Sequence, residues 1–456
     1  MSPFKGWLLP VFVYVIRLSG IDIPKGNLWG SGLYRNRKGE KMKAEILATG
    51  DEIRSGALVD TNSAYIAEKL EETGIAVQRH ICAGDDSDVL EAIITEISQR
   101  ADICVVTGGL GPTTDDITAD AAAAAAGVEL VEDAKALSMI ASFFKARHRE
   151  MTASNRKQAF VPQGSRTLYN PVGTAPGFSL KVNRCTFFFL PGVPPEMVRM
   201  LAADVLPDIE KIMGAQRTNC LVRNISTFGL TESAVGEKVA EVVDHFPGLR
   251  LGLRAKFPEI HVKFYLNGKN LPKMQKTLDA ATEWVKGRVG KNVLSTEGEA
   301  MPRVVGRLLK ERGATIAIAE SCTGGRIANW LTDVPGSSDY FLFAGVSYAN
   351  AAKVDILGVS SQTLDEQGAV SEETAREMAN GVRRISKATY GISTTGVAGP
   401  GGGTEEKPVG TVCIGLSTPD SSLGRQFYFP FGKRSMNKSI FAMMALEMLR
   451  RELLGI

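Results

Sequence analysis

Between residues 42 and 214 the chain alternates two periodicities, and that alternation restricts its architecture more than any other feature. Apolar runs of strand length at 44–48, 77–82, 103–107 and 186–190 are separated by stretches at 61–73, 87–100 and 115–126 with helical spacing of apolar residues. Such alternation predicts an α/β unit, a mostly parallel sheet with helices on both faces. Ligands of open sheets of this kind sit beyond the carboxyl ends of the strands. Two turns fall at such ends here, Thr49-Gly50-Asp51-Glu52 and Thr107-Gly108-Gly109-Leu110-Gly111-Pro112-Thr113-Thr114-Asp115-Asp116.

The grammar then changes twice. Over 216–295, short strands at 221–227 and 259–266 with helices at 232–243 and 271–288 read as a small α+β module. A nucleic-acid role would call for a basic G-x-x-G loop or exposed aromatics, and neither is read in this stretch, so a spacer or dimerising unit is the expectation. From 301 a third unit, again α/β, begins with a helix at 304–312, a strand at 314–319 and a helix at 324–331. Further strands are expected at 340–348, 390–395, 410–417 and 424–429, with helices at 372–386 and 435–450. The domains are therefore placed at 42–214, 215–298 and 299–456, with no internal repeat. Because Met42 opens a clean strand, residues 1–41 are expected to be an upstream extension or a mis-called start.

Composition narrows the class. At 456 residues two or three compact units are expected, and 44% apolar with 23% charged residues is a globular balance. A net charge of +3 over the whole chain gives no electrostatic case for nucleic acid or an anionic membrane. The apolar run at 7–16 is broken by Pro10 and falls short of the roughly 20 residues of a membrane helix. It also lacks a small-residue cleavage site. Six cysteines without a C-x-x-C pair read as reduced thiols of a cytoplasmic protein.

The chemistry is concentrated in the last unit. The four histidines are His80, His148, His245 and His261, so none lies within it. A nucleophilic enzyme built there alone must use a lysine or a carboxylate for proton transfer. Ala319-Glu320-Ser321-Cys322-Thr323-Gly324-Gly325 follows a strand and opens a helix, where free N–H groups and the helix dipole can stabilise an oxyanion. Ser321 is the candidate nucleophile, Cys322 its rival, and a plain helix cap the blander alternative. Ser347-Tyr348-Ala349-Asn350-Ala351-Ala352-Lys353 supplies a candidate base, with Tyr348 as a proton relay. A lysine of pKa about 10.4 is neutral in roughly one copy in 2,500 at pH 7, so Lys353 serves only if burial or a neighbouring cation lowers that value. Otherwise it is a solvated helix residue, and Lys407 competes for the role. The glycine-rich run from Ser393 to Gly403 suggests a cradle for phosphate or ribose, or else a flexible hairpin, and Arg434 suggests a two-pronged phosphate contact.

Five ordered motifs carry a resemblance over 301–454: A-E-S-C-T-G-G, S-Y-A-N-A-A-K, G-A-V-S-E, T-G-V-A-G-P-G-G-G and E-E-K-P-V-G-T-V. In this order they closely resemble the C-terminal domain of the competence/damage-inducible protein CinA family. The resemblance implies a nicotinamide-nucleotide amidohydrolase that converts nicotinamide mononucleotide and water to nicotinate mononucleotide and ammonia without a cofactor. It implies Ser321 as nucleophile, Lys353 as general base and Tyr348 as its helper. Substrate would be bound at Cys322, Thr323, Gly324, Thr395, Gly396 and Arg434. Lys433 departs from the usual Gly-Asp-Arg of the family. The first unit resembles the MoaB and MogA molybdopterin-binding fold, through T-G-D-E at 49, T-G-G-L-G-P-T-T-D-D at 107, N-P-V-G-T-A-P-G at 170 and L-P-G-V-P-P-E-M at 190. Some relatives hydrolyse ADP-ribose there with a divalent metal, for which Asp51, Asp115 and Asp116 are the candidate ligands. Thr113 or Thr114 as a helix cap, with the aspartates in the first turn, accounts for the same residues structurally. A pterin-binding enzyme and a non-catalytic regulatory protein of competence are the alternatives. Small nucleotides are the expected partners and a homodimer the expected assembly.

Overall fold

A computed structural model describes residues 42–214 and 219–456, so the expectations for residues 1–41 lie outside the described residues. Three sheets follow one another along the chain. The first is built from β1 (Ala44–Thr49), β2 (Val77–Ala83), β3 (Ile103–Thr107), β6 (Arg166–Leu168), β7 (Gly177–Val182) and β8 (Cys185–Leu190), while β4 (Leu130–Glu132) and β5 (Phe160–Pro162) pair separately. Its order is β2-β1-β3-β8-β7-β6, parallel through β8 and antiparallel thereafter. Successive residues point to opposite faces of a strand, and both faces are covered. Ile46, Val105 and Phe188 pack with Ile66, Leu70, Met197 and Met200 on one side. Leu47, Val106 and Phe189 pack with Leu90, Ile94 and Ala121 on the other. The apolar runs follow from that double burial.

The helix expected at 324–331 starts at Arg326, and one in the first domain starts later still. It spans Thr118–Ala126, not 115–126. Asp116 Oδ2 accepts the backbone N–H of Thr113 at 2.8 Å and its hydroxyl at 2.5 Å, closing a turn that competes with helical hydrogen bonding. Neither Thr113 nor Thr114 is the cap; that position belongs to Ile117.

The middle sheet comprises β9 (Asn219–Thr227), β10 (Leu249–Lys256), β11 (Glu259–Gly268) and β12 (Val293–Ser295) in antiparallel order β10-β11-β9-β12. Helices Glu232–Val239 and Leu271–Val289 cover one face, through Val235, Val239, Leu278 and Val285. Gly287-Arg288-Val289-Gly290 has G-x-x-G spacing but closes the second of these helices and forms no loop between helices.

The last sheet holds β13 (Ile316–Glu320), β14 (Phe341–Val346), β15 (Tyr390–Gly396), β16 (Thr411–Ser417) and β17 (Ser422–Tyr428), ordered β14-β13-β15-β16-β17. β14, β13 and β15 run parallel, and β16 and β17 are antiparallel additions. Ile316, Ile318, Ile392 and Ile414 face helices Met301–Glu311, Arg326–Thr332 and Arg434–Leu454. Ala317 and Ala319 face helix Glu372–Ser386, which lies so close that a Cβ on Gly415 would stand 2.0 Å from the Ala375 carbonyl oxygen. No helix among the described residues is long and apolar enough to cross a membrane.

The C-terminal helix carries a buried ion cluster. Glu447, 1% exposed, accepts Arg450 Nε at 2.6 Å and Arg451 Nε at 2.5 Å, and Arg450 also donates to the Lys291 carbonyl at 2.8 Å, tying this helix to the end of the middle module. Removing one partner of such a group strands the others without compensation. Glu447→Ala is expected to destabilise the chain by about 3–5 kcal/mol in guanidinium denaturation followed by circular dichroism. A loss below about 1 kcal/mol would show that the cluster contributes nothing net.

Candidate active site

β13 ends at Glu320 in the interior of its sheet, and its two neighbours fix the turn that follows. Ser321 N donates to the Thr394 carbonyl at 2.9 Å, and Ser347 N donates to the Glu320 carbonyl at 2.9 Å. The Glu320 side chain, fully buried, accepts the backbone N–H groups of Ala328 at 2.9 Å and Ile327 at 3.3 Å. That carboxylate satisfies donors in the first turn of the helix and locks the intervening residues 321–325. Gly324 at φ +58 and Gly325 at φ +84 make the reversal in the left-handed region, which side-chain-bearing residues rarely adopt. No oxygen of a described residue accepts from the N–H of Cys322 or Thr323. Two donors beside a serine are what an oxyanion requires.

Lys353 reaches this turn from helix Asn350–Asp355. It is 1% exposed, and its Nζ lies 3.4 Å from Ser321 Oγ, 2.9 Å from the Ser347 carbonyl oxygen and 3.2 Å from the Tyr348 carbonyl oxygen. Among the described residues it forms no salt bridge. Burial without a counter-charge holds the amine below the ordinary lysine value. A neutral amine has two N–H donors and one lone pair. Two carbonyls can occupy the donors, which leaves the lone pair for the serine hydroxyl. The 3.4 Å separation is long for a ground-state hydrogen bond, as is common for catalytic pairs without substrate.

The other candidates fall into place around this pair. Burial pushes the Cys322 thiol up to about 12, so it is protonated at neutral pH and a poor rival nucleophile. Thr323 is spent on structure, its hydroxyl 2.7 Å from that of Thr394. Thr395 donates its hydroxyl to the Ala369 carbonyl at 2.6 Å, and Gly396 ends β15 beside it. Lys407, the competing base, is half-buried and donates to the Gln367 carbonyl at 2.8 Å. The relay expected of Tyr348 is not what the geometry offers. Its ring is 63% exposed and its hydroxyl accepts from Arg434 Nη2 at 3.1 Å, whereas only its backbone carbonyl contacts Lys353. Arg434 is steadied by a second bond, from Nη1 to the Gly399 carbonyl at 2.6 Å, which sets it over the glycine-rich run.

The first domain presents a groove of about 870 Å³ at the carboxyl ends of β1 and β3. Glu52, Asp60, Asp85, Asp115, Asp116 and Glu196 line it, with no lysine, arginine or histidine among the lining residues. Burial, reinforced by Asp51, Glu52 and Asp115, raises the Asp85 carboxyl above its usual range. The three aspartates expected to share a metal do not form a ligand group. Asp51 is paired with Arg54 at 2.9 Å, Asp116 is bound to Thr113, and no cluster of three or more histidine, cysteine or acidic groups fit to hold a metal occurs among the described residues.

Three family models match successive stretches of the chain. They are the CinA C-terminal domain over 298–453, the probable molybdopterin binding domain over 45–211 and the damage-inducible protein CinA KH domain over 222–294. A CinA-like protein of Desulfosudis oleivorans is 53% identical over 413 residues, 91% of this chain and 100% of that protein. The chain belongs to the CinA family. A second CinA-like protein, from Geobacter metallireducens, is 40% identical over 91% of this chain and 100% of its own length. Among solved structures, the competence/damage inducible protein CihA of Agrobacterium tumefaciens is 39% identical, with 33% of this chain and 91% of that one covered at a TM-score of 0.32.

Sequence reasoning about this CinA chain passed over Glu320. A carboxylate closing an apolar strand, seven and eight residues before the N–H groups it accepts, was the available signal. The lowered value of Lys353 has a measurable sign. Between its folded and unfolded values the unfolded chain binds more protons, so stability rises with pH across that window. Below the folded value both states are charged and the full penalty is present. The difference in thermal stability between wild type and Lys353→Met is therefore expected to shift in favour of wild type as pH approaches the ordinary value of 10.5. A difference that stays flat from about pH 7 to that point would remove the desolvated amine.

Proposed function

We propose that the C-terminal domain hydrolyses the carboxamide of nicotinamide mononucleotide to nicotinate mononucleotide and ammonia. The single observation that carries the reading is a buried lysine amine without a counter-charge within 3.4 Å of a serine hydroxyl, in the turn between β13 and helix Arg326–Thr332. Neutral Lys353 takes the Ser321 proton as Oγ bonds to the carboxamide carbon. The N–H groups of Cys322 and Thr323 receive the negative charge that develops on the carbonyl oxygen. The C–N bond then breaks, and the proton held on Lys353 goes to the departing nitrogen, which leaves as ammonia. In the second half a water molecule gives its proton to Lys353 and adds to the ester carbon, and the Ser321 oxygen recovers that proton as the acyl bond breaks. Tyr348, through Arg434, orients the substrate side of the site and has no place in proton transfer.

Ammonia release from nicotinamide mononucleotide by the full chain tests the scheme directly. Ser321→Ala and Lys353→Ala are each expected to lower kcat by roughly a thousandfold or more, because nucleophile and base act as a unit. The steps use side chains and backbone only, so the rate is expected to survive chelators. Full activity in either variant, or its loss on chelation, would count against the scheme.

A second activity, hydrolysis of ADP-ribose in the first domain, is favoured by one observation and opposed by another. Its groove is rich in carboxylates, which suits a ligand brought in with divalent cations, yet Asp51 and Asp116 are committed to protein partners. AMP formation from ADP-ribose with added magnesium or manganese, measured in wild type and Asp116→Asn, decides the matter. Calorimetry with a pterin addresses the molybdopterin alternative.

A further inference from the structure

The helix that begins at Arg434 carries a cation that none of the steps above uses. Lys438 lies one turn beyond Arg434, so the two side chains share a face of the helix. That face looks onto the nucleophile turn. Lys438 Nζ stands 3.0 Å from where a Cβ on Gly324 would lie, so the space left by the missing side chain is the space the ammonium borders. Gly324 N donates to the Ser321 carbonyl at 3.1 Å, which places the ammonium within one tight turn of the nucleophile.

The charge environment sets Lys438 apart. It is half-buried, yet it makes no hydrogen bond or ion pair with a described residue. Its stem packs against the protein while the ammonium stays open to solvent, free to meet an incoming anion. The two neighbouring guanidiniums are already engaged: Arg434 with the Gly399 carbonyl and the Tyr348 hydroxyl, Arg326 with the Ser435 carbonyl and the Ser439 hydroxyl. Of these three cations only Lys438 has all its donors open. A ligand that supplies negative charge at this spot gains an ion pair without displacing a protein contact.

We infer that Lys438 binds the phosphate monoester of the nucleotide whose amide Ser321 attacks, and so sets the preference for a nucleotide over the corresponding nucleoside. This rests on the amidase reading for the identity of the substrate, but not for the existence of the anion site. The phosphate does not react, so the contact acts on substrate and transition state alike and is expressed in KM.

Steady-state kinetics of the full chain on nicotinamide mononucleotide and nicotinamide riboside provide the test. Lys438→Ala is expected to lower kcat/KM for the mononucleotide by roughly 10- to 100-fold, mainly through KM, and to leave the riboside value within about twofold. Lys438→Arg is expected to restore most of the loss. Equal losses on both substrates, or none on the mononucleotide, would overturn the assignment. Should the wild type release no ammonia from either compound, binding of inorganic phosphate, followed by phosphorus-31 line broadening in wild type and Lys438→Ala, decides instead. Weaker binding in the variant upholds the anion site while the amidase reading falls, and unchanged binding removes the site.

Discussion

A lysine amine removed from water and offered no counter-charge is the constraint on which the C-terminal domain turns. Lys353 could be stabilised as a cation by a single nearby carboxylate, and the fold withholds one. Glu320, next to Ser321 in sequence, is turned away and spent on the N–H groups of Ile327 and Ala328. Carbonyl oxygens of Ser347 and Tyr348 hold the amine in place, and they do so for either protonation state. Position is thereby separated from charge, which is what a base needs if it is to gain and lose a proton without moving.

That arrangement depends on three parallel strands ending side by side. β13 delivers Ser321, β14 leads into the 347–353 segment, and β15 delivers Thr394 and Thr395, so the register of the sheet fixes distances among residues far apart in sequence. The pairing of Glu320 with Val346 and with Thr394 is the last rung on each side, and the functional turns begin immediately beyond it. Close approach of helix Glu372–Ser386, permitted by Gly415, backs the sheet from the opposite face and leaves little freedom for those rungs to slip.

Much of this was legible in the residues. Continuous apolar runs announced the buried strands, and Ser321 and Lys353 stood at strand-to-helix transitions where a sheet of this class presents its ligands. What could not be read is how side chains divide their hydrogen bonds. Tyr348 lies five residues before Lys353, which suggests a relay, but a ring at a strand end points where packing allows, and here it meets Arg434 instead. The aspartates at 51, 115 and 116 share a pocket rim in sequence logic, yet Arg54 and Thr113 claim two of them locally. β10 is absent from the expectations above although Leu249, Leu251 and Leu253 alternate with Arg250, Gly252 and Arg254 at the period of a strand, and its pairing with β11 shows that the signal was there to be read. Lys438 was invisible for a different reason: a lone lysine in a helix signals nothing until tertiary packing sets it over a glycine.

The two candidate sites of the chain differ in the charge around them, and the difference bears on what each can hold. Carboxylates without a basic side chain line the first, where even the Asp85 carboxyl is biased toward its neutral form. Arg326, Arg434 and Lys438 gather about the second, where the Glu320 carboxyl is buried and turned onto the helix N–H groups of Ile327 and Ala328. A phosphate-bearing molecule entering the second meets positive charge already in place. The same molecule entering the first meets repulsion unless cations accompany it or the carboxylates take up protons. A shared nucleotide chemistry at both ends would therefore run under different ionic requirements, and divalent cations would discriminate between the two sites more sharply than any feature of the nucleotide itself.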